Sequence, residues 1–488
     1  MLKDSVLEKC ALAALLFAVA CSDNGETDSG TGGVAPVTGG TAPTGGALPG
    51  TGGAAPTGGA LPGTGGAAPA MGGAAPTTGG VGPGTGGVDP SGGSGGGPPP
   101  VTGPQDFDTN VPIGWAVVPG YGLQSTTGGG GGEVVTVSSH GDLASAVSGE
   151  VPRIVLVQGM MSGGDIVVGS NKTIIGVGAD AGLSGCYLNM NPAQNVIIRN
   201  LSISGGTDAI AARHTTQLWI DHMDVSKCGD GLIDLTRETD HYTVSWVRFS
   251  NHHKTMLLNG GSTHREDKGK INGTVHHCFF DGSNTRNPRA GFGMIHIFND
   301  YNLDNGYAIG FHTDSKVVAE RNYFENTDEA IRQMYDEGGH PAWELGDALA
   351  VDNHFENASG DESTGIGFTV TDYYMYDFAL DDVMAVPEIV RAGAGTKAEL
   401  GEIGLMPIPG QGAIKVDYST LSWKTGTASP ESYVVYFGTD TNPPEVSTTT
   451  ETSYEAGPLA SGTQYYWRVD QVVSGTAVTG KLWTFKAL

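Results

Sequence analysis

The chain has 488 residues, enough for about three ordinary domains, and a formal charge of −27 from 52 acidic and 25 basic side chains. Most of that charge lies in residues 105–410, which hold 39 acids against 18 bases. So acidic a chain is excluded from sequence-independent nucleic-acid binding, which needs Lys and Arg to displace phosphate counterions, and no apolar run reaches the roughly 18 residues of a membrane span.

At the N-terminus, Lys3 and Lys9 precede the apolar run Ala11–Ala20, which ends in the small-residue site Ala18-Val19-Ala20 before Cys21. That is the layout of a secretory signal over residues 1–21, too short to cross a bilayer. Leu15–Cys21 also resembles a bacterial lipoprotein signal, with Ala18 where such signals usually carry Leu. The resemblance implies lipidation at Cys21 and a secreted protein anchored to the bacterial outer membrane, with no other contact with a membrane; an ordinary signal peptide is the alternative. Residues 22–105 are Gly, Thr, Ala and Pro, with the unit TGGALPGTGGAAP occurring twice, at Thr44–Pro56 and Thr57–Pro69. Such a segment buries too little to offset its ordering entropy and reads as a disordered linker. Beyond it remain Cys186, Cys228 and Cys278, an odd number that allows at most one disulfide within the chain. No C-x-x-C pair offers a structural zinc site.

Residues 106–410 repeat short β-branched runs: Val196–Ile198, Leu218–Ile220, Thr243–Ser245, Thr274–His276, Ile295–Ile297 and Val317–Ala319. A second series repeats alongside: Leu201, Val225, Phe249, Phe279, Phe324 and Phe355. The step is 21 to 31 residues and helical periodicity is scarce, which predicts stacked coils that bury their inner faces against one another. The expected fold is all-β: a right-handed parallel β-helix followed by a small antiparallel β-sandwich. The glycine run Gly128–Gly132 lacks the Lys-Ser/Thr of a phosphate loop and is expected to be a flexible turn.

Four motifs then occur in order: Leu218-Trp219-Ile220-Asp221-His222, Asp230-Gly231-Leu232-Ile233-Asp234, Asn251-His252-His253-Lys254-Thr255-Met256-Leu257 and Arg286-Asn287-Pro288-Arg289. Together they resemble the pectate lyases of polysaccharide lyase family 1, over roughly 290 residues from about Gly114 to Gly395. The resemblance implies a parallel β-helix and β-eliminative cleavage of 1,4-linked polygalacturonate (de-esterified pectin) to 4,5-unsaturated oligogalacturonides, the EC 4.2.2.2 class. It further implies Ca²⁺ held by Asp208, Asp230 and Asp234, with Lys254 neutralising the uronate carboxylate and Arg286 as catalytic base. An acidic protein repels a polyuronate, and a hard cation with six to eight oxygen ligands can bridge the two.

Spacing sets a condition on that site. Four extended residues would part Asp230 from Asp234 by about 13 Å, so a bend at Asp230, eased by Gly231, is expected. The plainer alternative is that these are corner Asp residues. Free Arg has a pKa above about 12, so an Arg base predicts better activity at alkaline pH. Trp219, Asp221 and His222 read as structural, and His252 and His253, neighbours on a strand, point to opposite faces and make a poor metal pair. Where the family carries a second arginine, this chain has Gly291; either binding weakens or Arg289 takes over contact with the substrate carboxylate. A catalytically weak or inactive pectin-binding surface protein is therefore the alternative. Residues 411–488 alternate in short strands, and Val434–Gly438 with Gly462–Asp470 resemble fibronectin type III-like modules appended to bacterial carbohydrate-active enzymes. That tail is either a passive spacer or, with exposed Tyr or Trp, a sugar-binding module. A monomer with no nucleic-acid partner is expected.

Overall fold

Ten parallel strands stack along one face of a solenoid of about nine turns. The computed structural model describes residues 107–259, 261, 263–334 and 345–488; the expected signal, Cys21 and the linker lie outside them. In register on successive coils, Val155, Ile174, Ile198, Ile220, Val244, Val275, Ile297 and Ala319 form one inward column, and all are fully buried. Each aliphatic member removes apolar surface from water, about 1.5–3 kcal/mol for a fully buried Val or Ile. A single coil has no such partner above or below.

The second face stacks Ile203, Val225, Phe249, Phe280, Asn302, Phe324 and Phe355, with ring centroids 4.8 Å apart at Phe249–Phe280 and 5.3 Å at Phe324–Phe355. Ile203 and Phe280, not the expected Leu201 and Phe279, continue the column; Phe279 lies outside it, beside Tyr301 and the helix Val386–Gly393. Asn200, His222, Trp246, His277, Asn299, Arg321 and Asp352 take left-handed backbone angles (φ 48° to 57°) where the chain turns from the first face to the second. Asn, Asp and His tolerate that region best among non-glycine residues, which explains much of this composition. His222 is such a corner. Its Nδ1 lies 2.6 Å from Asp221 Oδ2, and Asp221 also pairs with Arg199 at 2.8 Å and accepts from Ser245 Oγ at 2.7 Å. With Trp219 buried and its indole N–H donating to Ser245, this motif braces a coil, as its structural reading expected.

The third face is an eight-stranded parallel sheet of short strands, among them Ile210–Arg213, Ile233–Thr236, Met256–Leu258, Arg289–Gly291 and Tyr307–His312. It carries the candidate site.

Two expectations need correction. Gly128–Gly132 is a packed turn rather than a flexible one: Gly128 and Gly129 donate to Asn195 and Thr173, and a methyl carbon on Gly129 would lie 1.9 Å from Arg153 O. The tail is no passive spacer. Its strands form a six-stranded, mainly antiparallel sheet and, together with Met406–Ile408, a three-stranded antiparallel one, and Trp423, Tyr433, Val435, Trp467, Trp483 and Phe485 share one core with Ile154, Ile175, Ile197 and Trp219 of the solenoid. All three tail tryptophans are thus buried and present no indole face to a sugar. Phe107 forms a parallel bridge with Leu482, and Trp483 donates to Asp108 at 2.9 Å. Cys186, Cys228 and Cys278 are free thiols.

Candidate active site

The chain bends at Asp230 as it enters the strand Ile233–Thr236, meeting the condition that the spacing set. Gly231 permits the turn-back: a methyl carbon there would lie 2.5 Å from Asp234 Oδ1. Asp208, on the preceding coil, accepts from the Gly231 N–H at 2.9 Å, and the Asp230 N–H donates to Thr207 O at 2.7 Å. Asp208, Asp230 and Asp234 are thereby gathered from two successive coils.

Their charges oppose one another. Burial, then Asp208, pushes the Asp234 carboxyl up to about 7; Asp230 adds to the rise, while Arg286 and Arg213 resist it. Asp208 is raised by burial and Asp230, against the Gly231 N–H, Arg213 and His252. Hard oxygens that raise one another's proton affinity in this way suit a hard cation, which relieves the same repulsion. As placed, they do not meet at metal-ligand distance, and among the described residues no set of three acid, His or Cys side chains does. Asp230 instead holds Lys254 Nζ at 2.8 Å, and its backbone oxygen accepts from His252 Nε2 at 2.6 Å.

Lys254 bridges to Thr285 on the next coil, and Arg286 follows at once with a left-handed φ of 66°. Lys254 and Arg286 therefore stand on neighbouring rungs, with Arg286 close enough to Asp234 to lower its pKa. Arg289 lies three residues on, its Nε donating to His312 Nε2 at 3.3 Å. Burial, then Arg289 and Arg286, pushes His312 down to about 3, so its ring is neutral. The fold brings all six expected residues, Asp208, Asp230, Asp234, Lys254, Arg286 and Arg289, to adjoining rungs of one sheet. It adds Arg213, His252 and His312. Alternation holds the signal for two of them: Arg213 follows inward Ala212, and His312 follows inward Phe311.

A family profile described as pectate lyase matches residues 108–395, more than half of the chain. The chain belongs to the pectate lyase family. Pectate lyase A of Emericella nidulans is 34% identical over 284 residues, covering 55% of this chain and 83% of that one. A pectate trisaccharide-lyase of Thermotoga sp. is also 34% identical, over 222 residues, covering 41% and 59%. Among solved structures, a pectate lyase of Bacillus sp. N165 in complex with trigalacturonate is 26% identical at a TM-score of 0.50, covering 58% of this chain and 98% of that one. The major allergen from cedar pollen matches at 26% and 0.51, with coverage of 59% and 93%. The family match ends at residue 395, so the tail sheets lie beyond the part that defines a pectate lyase.

Proposed function

We propose that this polysaccharide lyase cleaves 1,4-linked polygalacturonate by calcium-assisted β-elimination at the face built from Asp208, Asp230, Asp234, Lys254, Arg286 and Arg289. The observation that carries the reading is the placement of three mutually repelling carboxylates beside Lys254 and Arg286 on consecutive coils. Asp208, Asp230 and Asp234 would hold Ca²⁺. Bound there, the ion supplies charge neutralisation at the uronate carboxylate and so acidifies the neighbouring C5–H.

The protein's own groups do the rest. Lys254 exchanges part of its pairing with Asp230 for the C6 carboxylate and stabilises the enolate-like charge that develops as the proton leaves. Arg286, as neutral guanidine, accepts the C5 proton. The C5–H electron pair becomes the C4=C5 double bond, the C4–O4 bond breaks, and the departing oxygen, protonated from water, becomes the reducing end of the neighbouring sugar. Arg289 binds a substrate carboxylate. The neutral form of an arginine grows with pH, so the rate rises from neutral to alkaline pH.

The test follows absorbance near 235 nm on polygalacturonate at alkaline pH with Ca²⁺, then with excess chelator, for the wild type and Arg286→Ala. Expected is a calcium-dependent rise, abolished by chelator and reduced at least about a thousandfold in the variant. A rate that is flat or acid-optimal between about pH 6 and 10, or unchanged lysis by Arg286→Ala, sinks the base assignment. Gly291 favours the second reading, a weak or inactive pectin-binding protein, which polymer binding without any absorbance rise would establish.

The remaining parts are read from sequence. Residues 1–21 serve as a lipoprotein-type signal, Cys21 tethers the protein to the outer membrane, residues 22–105 form the linker, and 106–410 form the lyase portion of a monomer. The fibronectin type III-like reading of 411–488 rests on the segments Val434–Gly438 and Gly462–Asp470. A Cys21→Ala variant released from the membrane fraction into the medium would support the tether.

A further inference from the structure

Arg289 occupies the outward side of its strand, in register with Leu257 on one neighbour and Gly310 on the other. Two residues on, Gly291 is in register with His312. His312 Nε2 accepts from Arg289 Nε, which leaves the ring proton on Nδ1, 3.1 Å from the Thr313 hydroxyl that accepts it. Both ring nitrogens are thereby committed, and His312 is 6% exposed. This geometry depends on the missing side chain at 291. A methyl carbon there would lie 2.4 Å from Asn259 Nδ2 and 3.1 Å from His312 Cε1. Asn259 is itself fully buried, and among the described residues neither of its amide atoms has a hydrogen-bond partner.

We infer that His312 is a positioning residue for the lyase reaction: from beside Gly291 it holds Arg289 by Nε and sets the guanidinium plane for a uronate carboxylate. End-on pairing of a carboxylate uses the two terminal nitrogens of arginine and leaves Nε for a second-layer acceptor. A neutral ring can accept there; a protonated one would have no lone pair and would repel the arginine. The arrangement gives Gly291 a role, since a longer residue at 291 would displace the group that orients Arg289. The inference rests on the proposed contact between Arg289 and substrate.

The experiment measures kcat and KM on polygalacturonate at saturating Ca²⁺ for Arg289→Ala, His312→Ala, His312→Gln and the Arg289→Ala/His312→Ala double variant, with thermal melts of each. Expected is a KM rise of about tenfold in both single alanine variants, with most of the loss in KM rather than kcat, and a double variant no worse than either. His312→Gln, which keeps an acceptor at similar reach, recovers most of the affinity. If Arg289→Ala leaves KM unchanged, the substrate contact itself is wrong. If Arg289→Ala raises KM while His312→Ala does not, or the two effects add, the contact stands and the positioning role falls. Should His312→Ala fail to fold, His312→Gln decides: near wild-type KM supports the role, and the full loss seen in Arg289→Ala overturns it.

Discussion

Gly231 is constrained by the carboxylate it faces. Its Cα faces Asp234, and a methyl carbon there would meet Oδ1 at 2.5 Å, so Gly231→Ala must turn the carboxylate away while leaving the inward column untouched. Calcium affinity is expected to fall about tenfold or more, with a stability change within about 1 kcal/mol. Titration calorimetry with Ca²⁺ checks this, and an unchanged affinity would remove Asp234 from the cation site. Asp230, Asp234, Lys254 and Arg286 were legible because each sits inside a contiguous motif. For Arg213 and His312, alternation signals only that the side chain faces outward. Their meaning comes from register across coils, which places Thr236 opposite Arg213 and Gly291 opposite His312, and no local spacing states that.

Within the coils, the corner and strand positions of the first face gather histidines. His276, His277 and His296 are buried, His277 stacks on Trp246 at 4.3 Å and His276 on Phe298 at 4.9 Å. Burial pushes all three below the usual histidine range, although Asp381 beside His277 and Glu320 beside His296 pull the other way. The unfolded chain takes up protons near pH 6.5 while the folded chain does not, so the unfolded state binds more protons there and stability is lost as pH falls below about 6.5. Asp300, whose carboxyl burial pushes up, acts with the opposite sign. Melts between pH 5 and 8 should therefore be set against those of His276→Gln, in which the slope flattens; equal slopes would exclude the ring as a contributor. The coil period was legible from β-branched runs, but the Phe249–Phe280 register was not. His277-Cys278-Phe279-Phe280 offers two aromatic residues in succession, and only packing decides which faces inward.

For the molecule as a whole, the tail shares a hydrophobic core with the solenoid. Ile154, Ile175, Ile197 and Trp219 point away from the solenoid interior yet are buried, because Trp423, Trp467, Trp483 and Phe485 cover them. Deleting residues 411–488 is expected to lower the melting temperature by roughly 10 °C or more, or to yield insoluble protein, through exposure of that apolar face. A truncated chain that melts with the full-length protein would contradict the shared core. The signal for this was present in Ile154–Val157 and Val196–Ile198, which are apolar on both faces as doubly buried strands are. The tail's own alternation suggested a self-contained core and concealed the contact.

Phe107 and Asp108 are held by Leu482 and Trp483, Asp108 and Trp483 being 375 positions apart. Ribosomes deliver the chain from its N-terminus, so the earliest of these residues must wait, unlatched, for nearly all the others to emerge. Coils can nucleate and propagate as each is made, but the closing contact exists only once the strand Trp483–Ala487 has been synthesised. A chain that stops short of this strand therefore leaves Phe107 and Asp108 with nothing to fasten to.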